Sequence, residues 1–117
     1  MTTIKDAVND LFNNQRLTAE EAIDRHFGPA FRQRTDGSWD DRHVFVARMV
    51  HLREIVERAS ITVLDELIYG NRYAERHVVQ LDMRDGQQVR REVYVFAERD
   101  PDGRFDRIEE TSFVLEE

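Results

Sequence analysis

The feature that most constrains this chain is a change of period near Ser60. Before it apolar residues recur at helical spacing, and after it four extended runs are separated by three turn signals. The runs are Ile61-Thr62-Val63-Leu64, Tyr73 to Arg84, Val89 to Arg99 and Arg104 to Leu115. Gly70-Asn71, Asp85-Gly86 and Asp100-Pro101-Asp102-Gly103 punctuate them. Asp-Gly supplies the positive φ angles of a tight hairpin, and proline followed by glycine suits a type I turn closed by a bulge. Connections this short force neighbouring strands to run antiparallel. The second half therefore predicts a four-stranded antiparallel meander.

Three helices are predicted ahead of it. Ile4, Ala7, Val8, Leu11 and Phe12 make one apolar stripe before Asn13-Asn14-Gln15 breaks the pattern. Thr18 with Glu21 is a capping box opening a second helix, which Gly28-Pro29 is expected to stop. Phe31-Arg32-Gln33-Arg34 reads as a short extended piece before a Thr35-Asp36-Gly37 turn. Ser38 with Asp41 makes a second capping-type start for the longest helix, expected from about Asp40 to Arg58. Its stripe of Phe45, Met49, Leu52 and Val56, widened by Val46 and Ile55, is broad enough to lie on a sheet. The fold class is α+β: three N-terminal helices packed on a strongly curved antiparallel sheet, in a single domain over residues 1–117.

Such a length buries a real core without staples, and 35% charged against 40% apolar residues is the balance of a folded chain. The net charge of −7 repels phosphate backbones, and Arg72, Arg76, Arg84, Arg90 and Arg91 form no continuous stripe on alternating strands. Nucleic acid is not an expected partner. No apolar run is long enough to span a bilayer, and the N-terminus lacks a signal-peptide layout, so a cytoplasmic protein without membrane attachment is expected. With no cysteine, thiolate zinc sites and cysteine nucleophiles are excluded.

On the run Val89 to Arg99, Val93, Val95 and Ala97 share one face, while Glu92, Tyr94 and Phe96 share the other. A sheet apolar on both sides must cover both. The helices cover one, and a second copy of the protein is expected on the other, giving a homodimer through the sheet. A long helix across a bent sheet leaves a cone-shaped space. Phe12, Phe27, Phe31, Trp39 and Phe45 fall where they could line its mouth. They read either as ordinary core or as the wall of an apolar pocket, with Met49 and Tyr94 beside them.

The order of elements, the helix after a Gly-Ser-Trp-Asp turn and the run Asp102-Gly103-Arg104-Phe105-Asp106-Arg107-Ile108-Glu109-Glu110 resemble the nuclear-transport-factor-2-like superfamily, particularly its SnoaL-like branch. That run is similar to the family's final strand, with Phe105 where isoleucine is usual, and Val89 to Phe96 resembles the strand before it. The resemblance implies a cone-shaped, cystatin-like α+β barrel. Proteins of this fold include ketosteroid isomerases, limonene epoxide hydrolases, polyketide cyclases, scytalone dehydratases and many non-catalytic domains. Their enzymes use acid–base residues inside the cavity, usually without a metal.

Three residues are candidate catalysts. Glu110 matches the family's acidic position and shares a face with Ile108 and Ser112; burial there would raise its pKa and suit it to proton transfer, whereas an ion pair with a neighbouring arginine would make it structural. Arg90-x-Glu92 with Glu110 resembles the Arg-x-Asp plus Asp set of the epoxide hydrolases, although both acids here are glutamates, the intervening chain is shorter and a water-holding tyrosine and asparagine have no match. His77 alternates with Tyr73, Glu75, Val79 and Leu81, and could be an acid–base group or a satisfied structural histidine. His43 and His51 lie eight apart and His26 sits on another helix, so no metal-ligand spacing occurs. No nucleophile elbow or glycine-rich phosphate loop occurs either. The expectation is a small, mostly apolar organic ligand in a cone-shaped cavity, with no cofactor and no metal. Where the domain is catalytic, isomerisation, cyclisation or dehydration fits. The alternative is a non-catalytic dimeric domain with a filled cavity.

Overall fold

The computed structural model describes residues 1–115. Helix α1 spans Ile4–Phe12, with the Thr3 hydroxyl accepting from the Asp6 N–H at 3.1 Å. Helix α2 spans Ala19–His26 and opens with the expected capping box: Thr18 accepts from the Glu21 N–H at 3.1 Å, and Glu21 accepts from the Thr18 N–H at 2.9 Å.

Gly28-Pro29 does not stop this helix. The chain passes directly into strand β1, Phe27–Thr35, and both residues lie inside it. Gly28 answers a different need, since a Cβ there would collide with the Asp100 carboxylate. The piece around Phe31 to Arg34 thus belongs to a nine-residue strand. Asp36 (φ 49°) and Gly37 (φ 91°) turn it into strand β2, Ser38–Asp41, as a two-residue hairpin. Ser38 is therefore strand, and Asp41 is the N-cap of helix α3, Arg42–Ile55, accepting from the Val44 N–H at 2.9 Å. Helix α3 ends at Ile55, three residues before the expected Arg58, because Val56 is drawn into the sheet as the first residue of β3.

The meander follows the expected turns: β3 Val56–Tyr69, β4 Arg72–Met83, β5 Gln88–Arg99 and β6 Phe105–Val114, each antiparallel to the next. The sheet order is β2-β1-β6-β5-β4-β3, and β1 runs parallel to β6. The sheet is thus mixed rather than wholly antiparallel, and it is open, with β2 and β3 at its edges, rather than closed into a barrel. Register shifts after Val56 and after Val63 bend β3.

The three helices pack on the concave face. There Leu11, Ile23, Phe31, Phe45, Val56, Tyr73, Val95 and Phe105 form the centre of one continuous core. Along β5, Val93, Val95 and Ala97 are buried, while Tyr94 and Phe96 between them are exposed on the outer face. No helix among the described residues is long and apolar enough to cross a membrane.

Candidate functional site

Strand alternation and register place a set of polar residues on the concave face. Across β4, β5 and β6 the inward rows are Tyr73–Ala97–Ile108, Glu75–Val95–Glu110 and His77–Val93–Ser112. Strand β1 extends two of them, with Gln33 beside Ile108 and Thr35 beside Glu110.

Glu110 receives a hydrogen bond from the Gln33 amide, Nε2 to Oε1, at 2.9 Å. Burial pushes its pKa up, and Asp36 adds to the rise, against a smaller opposing pull from His77, Arg48 and Arg91. Gln33 is itself buried, and its Oε1, like the Thr35 hydroxyl, has no hydrogen-bond partner among the described residues. Buried polar atoms are nearly always paired, so two orphans flanking one carboxyl group mark a place where something else can bind.

Two strands away, about 10 Å at ordinary strand spacing, Glu75 is wholly buried and holds two neighbours. His77 Nδ1 lies 2.5 Å from Glu75 Oε2, and the Tyr73 hydroxyl donates to Glu75 while lying 3.1 Å from Glu66 Oε2. A carboxylate can only accept, so His77 donates through Nδ1, and its Nε2, with no hydrogen bond among the described residues, is the acceptor nitrogen of the ring. Burial, followed by the hydrogen bond to Glu75 and then that group's charge, holds the Tyr73 hydroxyl far above its ordinary pKa, so it serves as a donor and not as a base.

Of the residues expected from sequence, Glu110 and His77 lie together on this face. Glu92 does not. It pairs with Val78 on the outer face, where the Tyr94 hydroxyl donates to it, and so Arg90-x-Glu92 and Glu110 lie on opposite sides of the sheet. One residue along the strand reverses the face, and Arg91 rather than Arg90 turns inward. Tyr94 lies outside for the same reason, its ring against Phe113 at 6.2 Å. Trp39 is also displaced from the expected mouth. It sits on edge strand β2, 46% exposed, under the Arg32 guanidinium. Phe27, Phe31 and Phe45 form one buried triangle with ring centroids 4.7 to 4.9 Å apart, and Met49 and Phe12 are buried in the same core. They are core, although Phe31 also shares its strand face with Gln33, two residues on.

Sequence reasoning missed Gln33, Thr35, Glu75 and Arg91 as members of the site. Glu75 was open to discovery, as a charged residue at the inward parity of His77. Among the described residues no group of three His, Asp or Glu side chains is placed to hold a metal ion. Two grooves near this part of the sheet open on its outer face. One of about 630 Å³ is lined by Arg34, Tyr94, Phe96 and Thr111 and reaches Glu110, and another of about 220 Å³ is lined by Leu67, Arg76 and again Phe96 and reaches Glu75.

No family model matches the chain, and no curated protein matches it in sequence. Solved structures do match. An M. tuberculosis LEH-like epoxide hydrolase superposes with a TM-score of 0.74 at 15% identity, over 94% of this chain and 79% of that one. IdmH of Streptomyces antibioticus, assigned to the polyketide cyclases, gives 0.70 at 14% identity over 93% and 88%. A Jannaschia sp. CCS1 protein assigned to the SnoaL-like polyketide cyclases gives 0.65 at 13% over 96% and 90%. Identities this low speak for architecture alone. The chain has the nuclear-transport-factor-2-like fold in the form shared with SnoaL-like proteins.

Proposed function

We propose that the concave face binds a small, mostly apolar organic ligand and that Glu110 moves a proton on it without a metal, in a reaction of the isomerase, cyclase or dehydratase type. The observation that carries this is the Glu110 carboxyl group with a raised pKa, bonded to a buried glutamine whose second polar atom has no partner among the described residues. A carboxylate destabilised by burial is a stronger base than one in water, and its protonated form is a competent acid near neutral pH. As base, Glu110 takes a proton from carbon next to a carbonyl. The charge that develops on the carbonyl oxygen is met by the unpartnered Thr35 hydroxyl beside Glu110, while His77, its Nδ1 proton committed to Glu75, offers only an acceptor at Nε2. The core aromatics and Val93 supply the apolar wall. Structures of the same architecture that are named as an epoxide hydrolase and as polyketide cyclases support a site on this face.

The test is proton exchange on a simple enolisable ketone. In D2O the native protein should accelerate loss of the α-protons of 2-tetralone, and Glu110→Gln should slow that exchange by about 100-fold. No acceleration over buffer, or full exchange in the variant, sinks the catalytic reading.

We also infer that two copies associate through the outer face of the sheet. Leu67, Tyr94, Phe96 and Phe113 are exposed there on β3, β5 and β6, and no element among the described residues covers them.

A further inference from the structure

Strand β5 carries its inward apolar row, Val93, Val95 and Ala97, between two arginines. Arg99, at one end, is buried and held on one side, with its Nη1 unpartnered among the described residues. Its Nε and Nη2 donate to the Thr2 carbonyl at 3.0 and 2.6 Å, and its guanidinium lies 4.8 Å over the Tyr73 ring. Arg91, at the other end, is half-buried and lies on the same face. Its Nε donates to the Ser112 hydroxyl at 3.0 Å, and no ion pair among the described residues includes it.

Of the other inward arginines, Arg48 pairs with Asp40, and Arg53 donates through Nη2 to the carbonyls of Asn14 and Leu17, its Nη1 buried without a partner among the described residues. Arg91 keeps its terminal nitrogens free of protein hydrogen bonds among the described residues, one row from His77 and two from Glu110. It also contributes to the field at Glu110. A guanidinium fixed through Nε and open at its two terminal nitrogens offers the end-on fork, both Nη groups donating to the two oxygens of one carboxylate.

We propose that Arg91 is the anion anchor of the concave site and that the ligand is therefore an organic acid. Its carboxylate takes the terminal nitrogens of Arg91, and its apolar body lies along Val93 toward Glu110. This rests on the reading of the concave face as a ligand site, and adds the class of ligand to it. A neutral ligand of the same shape would leave the guanidinium without a partner on the half-buried face, which is the source of the discrimination. The anchor would also hold the ligand's near end away from Glu110, leaving that carboxyl to the far end.

The experiment compares benzoate and 2-naphthoate, each with its amide, by NMR titration of the full chain. The His77 ring signals report occupation of the cone. Both members of at least one pair should move them, the acid binding at least about tenfold more tightly than the amide. Arg91→Met should abolish that preference, and Arg91→Lys should keep part of it, with circular dichroism showing that each variant is folded. If acid and amide bind alike, or if the methionine variant keeps the preference, the anchor is wrong while the concave site survives. If no probe moves the His77 signals, the ligand-site reading fails, and the anchor with it.

Discussion

A carboxyl group carried onto the concave face of a sheet must be neutral, paired or both, and Glu110 and Glu75 meet that demand differently. Glu110 has one hydrogen-bond donor, Gln33, and a pKa raised chiefly by burial. The folded protein thus holds this proton more tightly than the unfolded chain. Its contribution to stability is complete below the unfolded pKa and is lost as pH rises through the higher folded one. Glu110→Gln keeps an oxygen for the Gln33 amide and removes the charge. It should therefore melt at a higher temperature than the native protein at pH 8, with the gain vanishing near pH 4, where the native carboxyl is also neutral. Equal melting temperatures at pH 8 would mean that the glutamate ion is well solvated and not poised for chemistry. Glu75 is instead matched by His77 and Tyr73. His77→Ala strands a buried carboxylate and should cost about 3 kcal/mol in urea unfolding. Adding Glu75→Gln should recover part of that loss, a coupling of about 1–3 kcal/mol that independent residues would not show.

Helix α3 places Phe45 and Met49 over the sheet, so where it begins decides which of its faces reaches the core. Its start is set by Asp41, and Ser38 lies in the preceding hairpin. Asp41→Ala should cost about 1 kcal/mol, whereas Ser38→Ala should fall within about 0.5 kcal/mol of the native protein; the reverse order would move the cap to Ser38. Both residues offered a capping signal in the sequence, and only the competing strand pairing of Ser38 with Thr35 separates them. The meander was legible because its turns are local: Asp85-Gly86 and the 100–103 loop fix antiparallel neighbours without reference to the rest of the chain. The parallel pairing of β1 with β6 joins segments 75 or more residues apart, such as Gln33 and Ile108, and no local pattern announces it. Gln33 and Thr35 stayed hidden for that reason. Alternation correctly separated Glu92 from Val93, but which face the helices cover is a tertiary fact, and so Glu92 and Tyr94 could not be sorted from Glu110 and His77 beforehand.

At the scale of the whole molecule, the two sheet faces have different needs. The concave one is covered by the three helices, while the outer one leaves Leu67 74% and Phe96 72% exposed beside Tyr94 and Phe113. A stable interface takes about 800 Å² from each partner, roughly a ninth of the 7137 Å² surface of this chain. Charges of both signs rim these apolar groups, in Arg76 with Asp65 and Arg34 with Glu109. A second copy related by a two-fold axis can match each sign with its opposite, which a partner of uniform charge cannot. Phe96 is the group to change, because it is exposed in the single chain and lines both outer grooves. Light scattering should give the native protein twice the 13.9 kDa of one chain, and Phe96→Arg should give one chain's mass. The variant's unfolding free energy, measured at a concentration where the native protein is also dissociated, should change by no more than about 0.5 kcal/mol, because no intramolecular packing is lost. The concave face points away from this surface, so the isolated variant should still show the His77 response to bound ligand. A native protein that is monomeric at high concentration would refute the pairing, and a variant that dissociates and also loses the His77 response would join the two faces into one site.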